Sequence, residues 1–273
     1  MNRLAHTRLL ACDLDGTMFP SGPDPTHAEA LEAFARLRGD VPGLRVAYVT
    51  GRHLASALEA ADFWSLPRPD LLSCDVGTSV YRSREDGAWL ADEPYAVRMR
   101  TAMGGLGNAD IRDLLAAVEA LTPQAEERQG EFKASFTLPR GEAGDAVMSA
   151  VVERLATNDT DVSLVRSSGV YEQDDLLDVL PPGATKSTAV LHMTHLIDAS
   201  AERTIFAGDS RNDLDPLLHA GRGIVVANAR PALLEALRPH LADTIYLAER
   251  PHLHGVVEGC RHFLGADDPE RRP

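Results

Sequence analysis

This sequence is poor in cysteine, deficient in positive charge and free of long apolar runs, and each shortage excludes a class of function. The three cysteines, Cys12, Cys74 and Cys260, show no metal or redox spacing. Two of them lie in apolar strand patterns, where Cys packs as a small core residue, so no disulfide framework is expected. No uncharged run approaches the roughly 18 apolar residues of a membrane span. A buried-type strand pattern begins within the first ten residues, which argues against a signal peptide, and a soluble cytoplasmic protein is expected. Acidic side chains outnumber basic ones 41 to 27, for a formal net charge of −14. Such a surface repels polyanions, so no nucleic-acid partner is expected. An anionic substrate must instead be drawn in by a local cluster of cations. Internal repeats and low-complexity segments are absent, and the Arg- and Pro-rich residues 267–273 read as a short disordered tail.

What the chain does contain is a parallel α/β rhythm, broken once. Apolar runs at Arg8–Cys12, Leu44–Val49 and Asp70–Cys74 alternate with helical patterns at 27–37 and 53–61. This βαβαβ order is the signature of a doubly wound parallel sheet. After Tyr81 the texture changes to charged turn residues, two helical patterns and three strand-like runs, so residues 83–178 read as an inserted α+β domain. The Pro181-Pro182-Gly183 punctuation then returns the chain to the parallel pattern. The expected organisation is core (1–82), insert (83–178), core (179–273). At 273 residues, a main domain plus a smaller insert is ordinary.

Four segments carry the chemistry. In Asp13-Leu14-Asp15-Gly16-Thr17, two carboxylates follow the apolar run Leu9-Leu10-Ala11-Cys12. Residues two apart on an extended strand point the same way. One carboxylate can attack phosphorus to give an aspartyl-phosphate, and the other can protonate the leaving oxygen and then activate water. Alone, this motif also has a lesser reading as a strand end with an Asx-type turn. Thr50-Gly51-Arg52 closes another apolar run and offers a hydroxyl and an amide to a phosphate oxygen at a helix N-terminus, although a plain N-cap Thr would look the same. Arg52 either positions substrate or solvates the helix start. Lys186 opens a helix, where the dipole disfavours a cation, and this suits a residue that must neutralise an anion. Gly208-Asp209-Ser210-Arg211-Asn212-Asp213 places three oxygen-bearing side chains within five residues, an arrangement suited to Mg²⁺.

In order and character these four segments resemble the motifs of the haloacid dehalogenase-like phosphatase superfamily, across the whole chain. The insert between the second and third motifs is similar to an α/β cap of the C2B kind. The stretch Asp75-Val76-Gly77-Thr78-Ser79-Val80-Tyr81, with Glu131-Phe132-Lys133-Ala134-Ser135-Phe136, Leu177-Asp178-Val179-Leu180-Pro181 and His254-Gly255-Val256-Val257-Glu258-Gly259, resembles the sucrose-phosphate phosphatase branch.

The resemblance implies a Rossmann-like core, with Asp13 as nucleophile, Asp15 as general acid/base, and Thr50 and Lys186 as phosphate binders; Gly51 and Arg52 beside Thr50 are further substrate-binding candidates. It implies Mg²⁺ held by Asp13, Asp209 and the main-chain carbonyl of Asp15, with Asn212 and Asp213 shaping the ligand shell. Arg211 departs from the pattern, standing where a small Gly is common. In the insert, Lys133 would face sugar hydroxyls, with Gln129 nearby, or else be a solvated strand lysine. The activity implied is hydrolysis of a sugar phosphate, sucrose 6-phosphate or a related disaccharide phosphate first. Glucosylglycerol phosphate, mannosylglycerate phosphate and monosaccharide phosphates are alternatives. A weakly catalytic sensor regulating a glycosyltransferase is a rival of another class, and the intact acidic set argues against it. Association with a glycosyltransferase is compatible with either. A phosphomutase would need a second phosphate site, and the insert has no further basic cluster.

Overall fold

The computed structural model describes residues 8–20, 22–168 and 174–266. The tail expected to be disordered, 267–273, lies outside them. In chain order the elements are β1 (Arg8–Cys12), α1 (His27–Asp40), β2 (Leu44–Val49), α2 (Leu54–Phe63), β3 (Leu71–Cys74), β4 (Ser79–Ser83), β5 (Trp89–Ala91), α3 (Glu93–Ala102) and α4 (Asn108–Leu115). There follow β6 (Thr122–Pro123), β7 (Ala134–Leu138), α5 (Gly141–Thr157), β8 (Ser163–Ser168), β9 (Asp175–Leu180), α6 (Lys186–Leu196) and β10 (Thr204–Gly208). The last are α7 (Leu214–His219), β11 (Arg222–Val225), α8 (Pro231–Leu237), β12 (Ile245–Leu247) and α9 (His252–Ala266).

The larger sheet has the order β12-β11-β10-β1-β2-β3-β4-β5, parallel from β12 to β3 and antiparallel at β4 and β5. Its central strands are apolar on both faces because successive residues face opposite helix layers. Leu10, Cys12, Val46, Tyr48 and Ile205 pack with α1, α2 and α9. Their neighbours Leu9, Ala11, Ala47, Val49 and Phe206 pack with α3, α6, α7 and α8. This is the expected doubly wound α/β core. Ala30, Phe34 and Leu37, spaced as one helix face, anchor α1 to it. Phe34 is fully buried, and its truncation to Ala would cost about 3–5 kcal/mol.

A second, four-stranded antiparallel sheet, β6-β7-β9-β8, lies between α3 and α6 in sequence. The residues Phe136, Leu138, Leu177 and Val179 of this sheet form a separate core with Ile111 and Leu115 of α4 and with Val147, Val151 and Leu155 of α5. Residues 84–87, beside the expected start of the insert, form the turn between β4 and β5, and both strands pair within the large sheet. Tyr95 and Met99 likewise bind α3 to the large sheet's core.

Candidate active site

Strand register brings the sequence motifs together. Cys12 lies opposite both Tyr48 and Ala207 in adjacent parallel strands. Asp13, Thr50 and Asp209 therefore all emerge at the carboxyl ends of β1, β2 and β10. Helix α1 leaves β1 on one face and α6 enters β10 on the other, so this is a topological switch point, where open α/β sheets bind ligands.

Thr185 caps α6 by accepting a hydrogen bond from the Thr188 amide at 3.1 Å. The cap fixes Lys186 at the first helical position, and its buried ammonium donates to Asp13 Oδ1 at 2.6 Å and to Asp213 Oδ1 at 2.7 Å. Burial disfavours the Lys186 charge, but the two carboxylates more than offset this and raise its pKa. Asp13 is pushed well above the usual carboxylate range, first by burial; Lys186 pulls it back, and Asp213, Asp209 and Asp15 push it up again. Burial and the neighbouring Asp213 raise Asp209 to about 6.

Asp13, Asp209 and Asp213 each bring a carboxylate oxygen within 4.8 Å of the others, all three residues buried. An all-oxygen set whose negative charge Lys186 offsets only in part fits a hard divalent cation such as Mg²⁺. The three are not equivalent. Asp213 gives Oδ1 to Lys186 and accepts at Oδ2 from the amides of Asp209 and Ser210 and from the Ser210 hydroxyl. Asp13 commits Oδ1 to Lys186, and Asp209 commits Oδ1 to the Thr17 hydroxyl at 3.2 Å. Gly16 has φ +83°, and a Cβ there would come 2.6 Å from Asp209 Oδ2, so only glycine lets the first motif approach the fourth this closely. The Gly16 carbonyl is held by Asn228 Nδ2 at 2.7 Å and by the His252 ring at 3.0 Å.

Asp15 stands apart from this cluster, its carboxylate held by Arg52 through two hydrogen bonds. Thr50 is buried, and its hydroxyl accepts from the Arg52 amide at 3.2 Å. Asn212 is exposed, with its side-chain oxygen accepting from Ser210 Oγ at 2.6 Å. Arg211 is exposed too, so its bulk leaves the acidic cluster intact. Lys133 reaches across from the second sheet: its ammonium lies 3.3 Å from the Gly51 carbonyl and 3.4 Å from Asp75 Oδ1. It is buried, which removes the solvated-lysine reading. Gln129 staples β7, bonding the Ser135 amide at 2.8 Å and carbonyl at 2.9 Å, so its amide group is already engaged.

Sequence reasoning left Thr17, Asn228, His252 and Asp75 without roles. It also passed over one compositional signal. Of the 27 basic residues only Lys133 and Lys186 are lysine, and both are buried at this site. Everywhere else the chain uses Arg, so lysine is kept where a compact point charge is needed.

The family model of sucrose-6F-phosphate phosphohydrolase matches residues 6–264. Among solved structures, the sucrose-phosphatase of Synechocystis, in complex with sucrose and phosphate, superposes with a TM-score of 0.77 at 27% identity, covering 94% of this chain and 98% of that one. A HAD-like hydrolase of Nitrosococcus oceani is 32% identical over 97% of this chain and 72% of its own length. A glucosylglycerol-phosphate synthase of Pseudomonas anguilliseptica is 27% identical over 93% of this chain, which corresponds to 30% of that longer protein. With the four motifs converging on one switch point and the family match running nearly end to end, the chain belongs to the sucrose-6F-phosphate phosphohydrolase family of haloacid dehalogenase-like phosphatases and is a phosphoric monoester hydrolase.

Proposed function

We propose that this protein is a Mg²⁺-dependent phosphatase that hydrolyses a sugar phosphate through an aspartyl-phosphate on Asp13, with sucrose 6-phosphate or a related disaccharide phosphate as substrate. The observation that carries the chemistry is the buried Asp13–Lys186 contact of 2.6 Å beside Asp209. Lys186 holds the nucleophile in place and offers its charge to the transferring phosphoryl group, while Thr50 and the Gly51 amide bind its oxygens. Asp13 attacks phosphorus as the ester oxygen leaves, and Asp15 donates the proton that oxygen needs. Asp15 then takes a proton from the water that cleaves the acyl phosphate, releasing phosphate and free Asp13.

The residues that would hold Mg²⁺ are Asp13 and Asp209, with the Asp15 carbonyl as the resemblance implies. The cation would supply charge neutralisation between the carboxylates and the phosphate dianion. Asp213, engaged at both oxygens, would orient Lys186 and the fourth motif, and Asn212 would support that turn.

We assign sugar recognition to the second sheet, acting as a cap, because Lys133 bridges it to the phosphate-binding turn. The sucrose and phosphate in the Synechocystis relative support a disaccharide phosphate. The match to a glucosylglycerol-phosphate synthase supports glucosylglycerol phosphate as the second reading, and with it association with a glycosyltransferase. Phosphate release from a panel of sugar phosphates, glucosylglycerol phosphate and simple aryl phosphates, with and without Mg²⁺, tests these readings. A sugar phosphate should lead the panel by at least about tenfold in kcat/KM, or about 1.4 kcal/mol. A panel led by a non-carbohydrate ester overturns the sugar assignment.

A further inference from the structure

One carboxylate beside the site has no task in the chemistry above. Asp75 follows β3 and is buried, yet its Oδ1 accepts no hydrogen bond. The nearest cation, Lys133 Nζ, lies 3.4 Å from that oxygen. A buried carboxylate left this way is costly, because an ion pair at that distance compensates its desolvation only in part.

The backbone adds to the cost. Asp75 has φ +53° and Val76 φ +60°, a region that β-branched residues avoid. The turn is kept there by hydrogen bonds onto the phosphate-binding segment, from the Asp75 amide to the Arg52 carbonyl at 2.9 Å and from the Val76 amide to the Thr50 carbonyl at 3.1 Å. Both bonds flank Gly51, whose carbonyl takes Lys133.

The second sheet is shaped to meet this carboxylate. A Cβ on Gly130 would stand 3.0 Å from Asp75 Cγ, so glycine is what lets the 130–133 hairpin close over it. Asp178, held by the Ser135 hydroxyl, is near enough to oppose ionisation of Asp75. Strained backbone, a buried oxygen without a hydrogen bond and a convergent lysine thus coincide at the seam between the phosphate-binding turn and the second sheet. On the sugar-phosphate reading, this seam is where the part of the substrate beyond its phosphate would lie.

We propose that Asp75 determines substrate specificity, its carboxylate accepting a hydrogen bond from a hydroxyl of the non-phosphorylated part of the substrate while Lys133 donates to the same or an adjacent oxygen. This rests on the sugar-phosphate reading and deepens it. The class selected is a phosphate ester that carries a hydroxyl-bearing ring next to the phosphate-bearing unit. A hydroxyl inserted here gives Asp75 Oδ1 the hydrogen bond it lacks and relieves the remaining cost of burial, whereas an aryl or alkyl group supplies none and is rejected.

The test uses the purified enzyme with Asp75→Ala and Asp75→Asn, the latter keeping the size, an acceptor oxygen and tolerance of the left-handed turn. Each is assayed on the best sugar phosphate of the wild-type panel, on its monodeoxy analogues and on p-nitrophenyl phosphate. In Asp75→Ala the ratio of kcat/KM for sugar phosphate over p-nitrophenyl phosphate should fall at least about tenfold, mainly through KM, with Asp75→Asn between it and wild type. One monodeoxy analogue should be penalised by wild type and not by Asp75→Ala. An unchanged ratio in both variants overturns the proposal, as does a deoxy penalty that persists without the carboxylate. If Asp75→Ala does not fold, the Asn variant and the analogue series still decide. Failure of the sugar reading itself would show separately, in the wild-type rows of the panel.

Discussion

The guanidinium of Arg52 grips the carboxylate of Asp15 in a two-point fork, Nε to Oδ2 at 2.8 Å and Nη2 to Oδ1 at 2.6 Å. The two side chains are 35% and 50% exposed, so the pair contributes no more than about 1 kcal/mol to stability. Its value is in orientation. The fork fixes the direction of the proposed acid/base, and Arg52 is itself steadied by Ser56 Oγ at 2.9 Å.

Arg52→Lys keeps the charge but not the planar fork. Steady-state kinetics should show kcat/KM falling by about tenfold or more on every substrate, while the melting temperature moves by less than about 3 °C. Rates within threefold of wild type would make the pair a surface contact without a part in turnover.

Asp13→Asn should bring phosphate release to near background, since an amide cannot form the acyl phosphate. The variant should stay folded, because burial and three neighbouring carboxylates already oppose the Asp13 charge and Lys186 keeps Asp213 as a partner. Acid quenching during turnover should trap a phosphoenzyme with wild type and none with the variant. Retention of more than about a tenth of the turnover would exclude covalent catalysis by Asp13.

Excess EDTA should abolish activity and Mg²⁺ restore it. Mg²⁺ at about a hundred times its Kd should also stabilise the wild type by about 2.7 kcal/mol in thermal or urea unfolding, an effect that Asp209→Ala should lose. Full activity in EDTA, or an unchanged Mg²⁺ response in that variant, contradicts the assignment.

Lys133→Ala should lower the ratio of kcat/KM for the best sugar phosphate over p-nitrophenyl phosphate by about tenfold, because binding energy from the sugar is what orients the ester. A proportionate loss on both substrates would place Lys133 with the phosphate or the fold.

Burial raises Asp75 to about 6, only partly countered by Lys133. A carboxyl raised in the folded state stabilises below its ordinary value near 3.9 and loses that contribution as pH rises through about 6. Urea unfolding of wild type and Asp75→Asn at pH 4.5 and pH 7 isolates this group. Wild type should lose about 2 kcal/mol relative to the variant over that interval. A parallel pH dependence in the two proteins would mean that Asp75 is not raised.

Several features were legible because they are local. An apolar run ending in Asp, Thr or Gly specifies a buried strand and the turn that ends it. The spacing of Ala30, Phe34 and Leu37, and Thr185 ahead of Lys186, specify helix face and helix start within a few residues. Hence the parallel core, the antiparallel second sheet and the four motifs could be read in order. The β4–β5 hairpin was harder: short strands joined by a charged turn have the texture of an insert, and only the pairing of β4 with β3 and of β5 with β4 places them in the large sheet.

Chain order, periodicity and residue chemistry therefore determined which groups end strands and open helices, and that oxygen ligands with a lysine suit phosphoryl transfer. Only the tertiary structure decided which of them meet. Lys186 and Asp13 are 173 residues apart, and strand register together with one capped helix brings them to 2.6 Å. The commitment of Asp213 to Lys186, the fork between Arg52 and Asp15, and the approach of Lys133 to the Asp75 carboxylate all depend on packing between elements distant in sequence. No local pattern encodes such distances, because the same side chain reads identically whether solvent or a neighbouring layer receives it.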